Sequence, residues 1–456
     1  MTALAGVEIA AAERAPDRSD ARAFLEAALA TPRTRPVAIV IPAPAGTPLA
    51  LLERLRRGDA FHLHDDRRAL TTLGATSIAS LVGEERFRDA RAAFEASRDV
   101  LEHRTHERCA DVRAIWTMGF AFIAGRARAE WAPLGDGLLS LPRWAHRVDG
   151  ASATLTLVAG PDETSSALAL AELDAIWETL SAKPTPLPPP DPASVRHLDE
   201  ARWSRSLADV KARIEAGTAE KVVMARRSSV VAPRDLEATL VARRLERPGA
   251  TVFCVRRRGV AFVGATPERL FRKRGRHVTT EAIAGTASLE RDPSGTRLFA
   301  SAKDVHEHQL VVDAIGTALS AMRGEVSIGT RTLRTIGSIA HLATPIEAHL
   351  AGEVSAFEIL QALHPTPAVG GVPRAVALQW IADNEADRGW YAGPIGWIDA
   401  DGNAELHVAL RSALLVGSHA YAYAGCGVVA GSDAAAEYAE TALKLAPMLA
   451  ALGVTP

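Results

Sequence analysis

The chain is poor in cysteine, in net charge and in long apolar runs, and each shortage argues against a class of protein. Its 456 residues include three cysteines, Cys109, Cys254 and Cys426, too widely spaced for a disulfide framework or a paired-cysteine metal site. A formal net charge of -2 gives no reason to expect nucleic acid or acidic lipid as a partner. The apolar stretch 36–45 is too short to span a bilayer and contains prolines. We therefore expect a cytoplasmic protein without membrane or nucleic-acid partners, and a monomer by default.

The composition that remains is that of a globular protein, with 48% apolar and 23% charged residues. The length predicts two or three domains. One compositional break stands out, because residues 183–192 contain six prolines, as in a semi-rigid extended connector. The sequence therefore predicts an N-terminal supporting α/β region over 1–183, a proline-rich linker over 184–199 and a catalytic region over 200–456.

The segment after this linker predicts a helix and then a short buried strand. Apolar residues recur at helical spacing over 203–215, and Gly217 is suited to cap the helix. Residues 221–225 then have the character of a buried strand that begins with Lys221. Burial would lower the pKa of this lysine from about 10.4 toward neutrality, as a general base requires. The alternative is a strand-end lysine that simply reaches solvent.

Near the C-terminus, a glycine-rich segment over 424–432 predicts a turn before a helix. Glu437, Glu440 and Lys444 would project from one stripe of that helix. The predicted core stripe consists of Tyr438, Ala442, Leu445 and Leu449. Glu440 and Lys444 could instead form an ordinary surface pair contributing about 0.3–0.5 kcal/mol.

Two motif interpretations fail on spacing. His306 and His308 are two residues apart and point about 200° apart on a helix, which argues against zinc. Glu307 between them is better suited to a hard cation such as Mg²⁺, with Glu440 as a second carboxylate. Residues 425–430 fit the G-x-G-x-x-A pattern, but no Asp or Glu follows Glu440, so a nicotinamide-binding unit is rejected. We expect the glycines instead to let the backbone approach a carboxylate ligand.

Taken together, these segments resemble the chorismate-utilising enzymes, which include isochorismate, salicylate, anthranilate and aminodeoxychorismate synthases. The matching stretches are 221–226, 264–268, 283–286, 303–308, 341–345, 364–371, 388–397, 424–433 and 437–444. They occur in order over about residues 200–450, which makes the resemblance specific. Residues 119–122 and 141–144 resemble, less specifically, the N-terminal part of menaquinone-type isochorismate synthases.

The resemblance implies an α+β fold in which two antiparallel sheets pack face to face, flanked by helices. It also implies isomerisation of chorismate to isochorismate, because family members that add water carry lysine where this chain has Lys221. The small Ala368 resembles the residue that isochorismate synthases have at this position. Tyr391, by contrast, resembles what the pyruvate-releasing enzymes also have. Salicylate synthase, an aminating chorismate enzyme and a non-catalytic chorismate-binding regulator stay as alternatives. Menaquinone and catechol-siderophore pathways both use this first step.

In that family mechanism, Lys221 would take a proton from water attacking C2, and protonated Glu268 would donate one to the departing C4 hydroxyl. Mg²⁺ held by Glu307 and Glu440, with Glu437 as a possible further ligand, would bind the ring carboxylate. The resemblance also implies that Arg411 and Tyr391 contact the pyruvyl group of the substrate. Lys444 and the backbone of Gly285, Thr286 and Gly427 would complete the surroundings of the anion. His341 would lie near the reacting hydroxyls.

Overall fold

The structure is a computed structural model that describes residues 16–54, 58–163, 166–197, 199–290 and 292–455. The α-helices are α1 (Arg18–Ala30), α2 (Ala50–Arg54), α3 (Arg86–Asp99), α4 (Ser166–Ser181), α5 (Glu200–Glu215), α6 (Ala238–Leu245), α7 (Thr296–Ala300), α8 (Ala302–Ala321), α9 (Ala356–Leu363), α10 (Arg374–Asn384) and α11 (Ala434–Ala451). Within these described ranges, none of the helices has the length and apolar character needed to cross a membrane.

The strands divide between two large sheets. They are β1 (Val37–Pro42), β2 (Ala60–His64), β3 (Arg68–Leu73), β4 (Ser77–Leu81), β5 (Glu102–Thr105), β6 (Ile115–Phe120), β7 (Gly137–Leu141), β8 (Trp144–Asp149), β9 (Ser152–Ala159), β10 (Ser194–Arg196), β11 (Lys221–Val231), β12 (Thr251–Arg257), β13 (Val260–Thr266), β14 (Arg269–Arg274), β15 (His277–Ser288), β16 (Gly324–Ile328), β17 (Thr332–Ile336), β18 (Ile339–Leu350), β19 (Gly371–Val372), β20 (Pro394–Asp399), β21 (Ala404–Val408), β22 (Ser412–Val416) and β23 (His419–Val428). The first sheet has the order β10-β11-β23-β22-β13-β12-β2-β3-β8-β9-β1-β5, with β19 paired to β11. The second has the order β16-β18-β15-β14-β21-β20-β6-β7-β4, with β17 paired to β18.

The two sheets share one hydrophobic core. Phe253 and Phe262 from the first sheet lie in the same buried cluster as Trp116, Ile395 and Leu406 from the second. Strands β1, β6 and β20 are buried at every position, because both faces of their sheets are covered there. The distal halves of β11 and β18 alternate instead between buried and more exposed positions, since successive side chains point to opposite faces of a sheet. The predicted α+β fold with two packed sheets is confirmed, with one parallel pairing, between β1 and β5, among the antiparallel ones.

Strands from both sides of the proline-rich stretch pair with one another. Strand β2 pairs with β12 in the first sheet, and β6 pairs with β20 in the second. The stretch itself packs on the protein, because Arg243 and Arg244 donate hydrogen bonds to the carbonyls of Thr185 and Pro188. The linker over 184–199 also contains β10, which extends the sheet beside β11. The break in composition is therefore not a break between sheets.

Only the second part of the glycine-rich segment is the predicted turn, at residues 430–431 before α11. Gly425 and Gly427 lie inside β23, which pairs with β11 continuously from Val222 opposite Val428 to Val231 opposite His419. This long pairing also extends β11 well beyond the predicted strand at 221–225. Glycine in a strand removes the side chain where another group approaches the backbone closely, so these two glycines indicate a contact.

Helix α11 has the predicted position but a different inward face. Its buried residues are Glu437, Thr441, Leu445, Met448 and Ala451. Ala442, predicted in the core, is exposed, and Tyr438 is only partly buried. The helix is rotated from the predicted stripe so that a carboxylate faces inward, which the apolar periodicity could not reveal.

Candidate active site

On the floor of the site, the carboxylate of Glu307 occupies the space where Gly427 has no side chain. The Oε1 atom of Glu307 on α8 would lie 2.0 Å from a Cβ atom built on Gly427 of β23. The Cε atom of Lys221 would lie 2.7 Å from the same Cβ. No real Cβ tolerates such distances, so only glycine lets helix α8 bring its carboxylate against this strand.

Lys221 and Glu307 form a buried ion pair. The Nζ atom of Lys221 lies 2.9 Å from Glu307 Oε1, and the lysine side chain is completely buried. Burial would raise the pKa of Glu307, but attraction to Lys221, then Lys303 and Lys444, holds that pKa below its usual value. The pair therefore keeps Glu307 ionised beside the lysine.

Glu268 has the opposite electrostatic environment. It follows β13 and is held by its backbone, because its N–H donates to Thr266 Oγ1 at 3.2 Å and its carbonyl accepts from Val408 N–H at 3.0 Å. Burial raises the pKa of its carboxyl to about 7, against the lowering effects of Lys221, Lys444 and Arg334. A carboxyl that keeps its proton near neutral pH can serve as a general acid.

Helix α11 supplies a second carboxylate beside a lysine. Lys444 Nζ lies 2.7 Å from Glu440 Oε1 and donates to the carbonyl of Gly425 at 2.9 Å. Glu437, one turn earlier, is buried in an ion pair with Lys303. Burial, then repulsion by Glu440, raises the pKa of Glu437 despite that lysine. Glu440 is thus anchored at the rim, and Glu437 is held behind it.

A histidine orients an arginine on the opposite wall. Arg411 Nη2 donates to His341 Nε2 at 3.2 Å, so the proton of the neutral ring is assigned to Nδ1, which donates to the carbonyl of Gly285 at 3.0 Å. Burial, then the charges of Arg411 and Lys444, lowers the pKa of His341 to about 3. Gly285 has φ +73° at a bulge between β15 and β18, which turns this carbonyl toward the histidine, and Thr286 Oγ1 lies 3.3 Å from Nδ1.

Arg388 is a site residue that the sequence analysis did not single out. Its guanidinium binds both oxygens of Glu385, at 2.7 and 2.9 Å, and donates to the carbonyls of Val369 and Val223. Tyr391 lies beside it, with its ring stacked on Tyr423 at 5.1 Å. The motif 388–397 contained the signal, but a buried arginine–glutamate pair cannot be distinguished from a surface pair by spacing alone.

These groups surround one cavity of about 680 Å³. The predicted site residues that line it are Glu268, Gly285, Thr286, Glu307, His341, Tyr391, Arg411, Gly427, Glu440 and Lys444. Lys221 lies behind Glu307 and Glu437 lies behind Glu440, so neither is among the lining residues. The cavity lining combines one protonatable carboxyl, two further carboxylates and three cationic side chains, Arg388, Arg411 and Lys444.

The donor set is suited to magnesium and not to zinc. Glu307 and Glu440 reach the cavity from two helices, and Gly427 leaves space at the first carboxylate. In the described ranges, no three His, Cys, Asp or Glu side chains are grouped as a protein-only metal cage. Mg²⁺ usually takes one or two carboxylates and keeps waters or substrate oxygens as its other ligands. His308, whose Nε2 lies 2.8 Å from Thr344 Oγ1, is occupied elsewhere, while His306 is exposed.

A family model described as chorismate binding enzyme matches residues 23–453. The chain belongs to this family. Among its curated relatives, Isochorismate synthase MenF of Bacillus subtilis is 31% identical over 424 residues, covering 87% of this chain and 88% of that protein. Salicylate biosynthesis isochorismate synthase of Pseudomonas aeruginosa is 44% identical over 263 residues, which cover 56% of this chain and 55% of the relative.

The fold of this chorismate-binding enzyme also matches solved structures. MenF, the menaquinone-specific isochorismate synthase from Escherichia coli, superposes with a TM-score of 0.77 at 28% identity, covering 95% of this chain and 99% of the other. Anthranilate synthase component I from Streptococcus pneumoniae has a TM-score of 0.66 at 20% identity and shares the fold. The resemblance stated from the motifs is thereby confirmed at the level of family and architecture.

Proposed function

We propose that this protein isomerises chorismate to isochorismate with the help of Mg²⁺. The observation that carries the proposal is the cavity in which Glu268, with a pKa of about 7, faces the same space as Glu307 and Glu440. An acid that is half protonated near neutral pH suits departure of a hydroxyl group. Relatives named isochorismate synthase, over most of the chain in one case, support the same reaction.

The cavity supplies complementary charge for a substrate with two carboxylates. Arg411, fixed by His341, can bind the pyruvyl carboxylate through a planar guanidinium, and Tyr391 can add a hydroxyl contact. Lys444 and the backbone at Gly285, Thr286 and Gly427 would surround the ring end. Glu307 and Glu440 would hold Mg²⁺, which would bind the ring carboxylate and offset the charge of both side chains.

The proposed chemistry exchanges one hydroxyl for another. Lys221 takes a proton from a water molecule as its oxygen bonds to C2, and the ring double bonds shift as the C4–oxygen bond breaks. Glu268 gives its proton to that departing oxygen, which leaves as water. No net water is consumed, so the product is an isomer.

The direct test is to incubate the full chain with chorismate and Mg²⁺, with and without EDTA, and to separate the products. We expect isochorismate as the only product with Mg²⁺, almost none with EDTA, and recovery when excess Mg²⁺ is restored. Salicylate with pyruvate would instead identify a lyase, and an aminated product with ammonium would identify an aminating enzyme. Equal turnover with EDTA would exclude a metal-dependent mechanism.

A substitution at Gly427 tests the contact on the floor of the cavity. The added methyl group of Gly427→Ala would meet Glu307 Oε1 at 2.0 Å, so the carboxylate must move by about 1 Å or more. Because such displacements can cost about 10²-fold in rate, we expect kcat/KM for chorismate to fall by that order and the Mg²⁺ requirement to rise.

The matched control is Gly431→Ala, three residues beyond the strand, where the nearest atom would lie at an ordinary 3.8 Å. Its kinetics should be close to those of the unmodified chain. Unchanged kinetics in Gly427→Ala would mean that Glu307 does not need its observed position.

A further inference from the structure

A second cleft lies beside the first, near the unpaired edge of β11. Its volume is about 930 Å³, and Arg388 and Tyr423 line both spaces. The cleft opens along the part of β11 that has no pairing strand on this edge. On this edge, β19 pairs only with Lys221 and Val222, and β10 pairs from Ser229 onward. Helices α5 and α10 provide its other walls, with Trp203 and Trp380 nearly fully buried.

The lining of this cleft carries a strong excess of positive charge. Its charged lining residues are Arg196, Arg202, Arg226, Arg227 and Arg388, against the single carboxylate of Glu385. That carboxylate is already occupied by Arg388 and by the backbone N–H of Ala225 at 2.7 Å. Arg227 is paired with Glu130 at 2.5 Å. Three guanidinium groups are left without an acidic partner within ion-pair distance among the described residues.

Arg226 is the group that points to a ligand. Only 3% of it is exposed, and its guanidinium packs 4.0 Å over the ring of Tyr438. Its Nε donates to Thr441 Oγ1 at 2.7 Å, but its buried Nη1 has no hydrogen-bond partner in the described part of the chain. Burial lowers the pKa of this guanidinium, against the opposing effects of neighbours that include Glu200. Because buried charged donors are rarely left unsatisfied, an acceptor belongs in this cleft.

The residues at the entrance of the cleft also favour an anionic ligand. Arg196 and Arg202 are exposed at the rim, where long-range attraction for an anion is useful. His197, also at the rim, has one ring nitrogen 2.8 Å from Ser228 Oγ. Burial, then the charge of Arg226, lowers the pKa of His197, so its ring offers a neutral polar contact. The lining thus ranges from exposed cations to a buried donor.

We propose that this cleft is a binding site for a small metabolite that carries a phosphate or carboxylate group. The anionic group accepts from Arg226 Nη1 at the bottom, and Arg196 and Arg202 compensate its remaining charge at the mouth. Because Arg226 is only 3% exposed, it suits a small anionic group that can enter the cleft and not the surface of a folded macromolecule. This site is separate from the proposed reaction, although Arg388 forms part of the wall between the two spaces.

The test is calorimetric titration of the full chain with inorganic phosphate and, separately, with malonate, at constant ionic strength. We expect saturable binding of at least one of them. Arg226→Gln should weaken it about tenfold or more, as expected for one charge-assisted hydrogen bond. The exposed pair Arg196→Ala with Arg202→Ala should weaken it without risk to folding. Arg205→Ala is the matched control, because Arg205 is exposed on α5, the helix that carries Arg202, and lies outside the cleft.

Binding in the first cavity is distinguished by Arg411→Gln, which should leave this binding unchanged. Equal affinity in all cleft variants and in Arg205→Ala would overturn the proposal, as would no saturable binding of either anion. The titration does not depend on turnover, so its failure would leave the proposed reaction untouched.

Discussion

Replacing Glu268 by glutamine is expected to lower turnover by about 10²–10⁴-fold and, at the same time, to stabilise the protein at alkaline pH. Burial raises the pKa of this carboxyl from 4.5 to about 7, so the folded state binds its proton more tightly than the unfolded state does. The stability present below the unfolded pKa is therefore lost as the pH rises through about 7. A shift of this size corresponds to about 3 kcal/mol, which the neutral amide would not lose.

The same substitution should lower the activity, although it raises the stability. Glutamine cannot donate the proton, and loss of a general acid costs about 10²–10⁴-fold in rate. In the unmodified enzyme, kcat/KM should fall as the pH rises through about 7, because the protonated form of Glu268 disappears there. The residual activity of Glu268→Gln should not show this fall in kcat/KM with rising pH.

Urea unfolding of both proteins at about pH 5 and about pH 9 measures the stability effect. The advantage of Glu268→Gln should be small at the lower pH and approach its full size at the higher one. Glu325→Gln, at an exposed glutamate on β16, is the control and should show little difference at either pH. An equal advantage for Glu268→Gln at both pH values would contradict a proton held by burial.

Much of the architecture could be predicted because local patterns and family motifs agree. The helix predicted at 203–215 is α5, which begins at Glu200 with Asp199 accepting from Ala201 N–H, and Gly217 follows with φ +70°. The buried strand predicted over 221–225 is the beginning of β11 (Lys221–Val231). Such elements are determined by caps and periodicity within a few residues, which a single sequence contains.

The details of the site depended on contacts that are distant in sequence. The sequence placed Lys221 in a buried strand but did not show that Glu307, 86 positions later, pairs with it. Glu437 was placed on a polar stripe of α11, yet it is buried against Lys303, which lies 134 positions earlier. Neither partner can be inferred from i,i+4 spacing, since helix packing decides them. The family motifs brought the right segments together without giving the pairings.

Removing Lys221 is therefore expected to cost stability as well as activity. Lys221→Ala leaves the Glu307 carboxylate buried without its ammonium partner, and breaking a buried pair in this way costs about 3–5 kcal/mol. Without Lys221, desolvation would dominate, and the pKa of Glu307 would rise from its present depressed value. The cost should accordingly be largest near neutral and alkaline pH and should shrink in acid, where the carboxyl can take up a proton.

A double-variant comparison separates the pair from the lysine itself. Glu307→Gln added to Lys221→Ala removes the isolated charge, so the double variant should be less destabilised than the two single costs summed. Lys183→Ala, at an exposed lysine, is the control and should unfold at nearly the same urea concentration as the unmodified chain. Both variants that lack Lys221 should lose chorismate turnover, because the proposed base is removed. Turnover at the unmodified rate in Lys221→Ala would remove this residue from the mechanism, and additive costs in the double variant would mean that the two charges do not depend on each other.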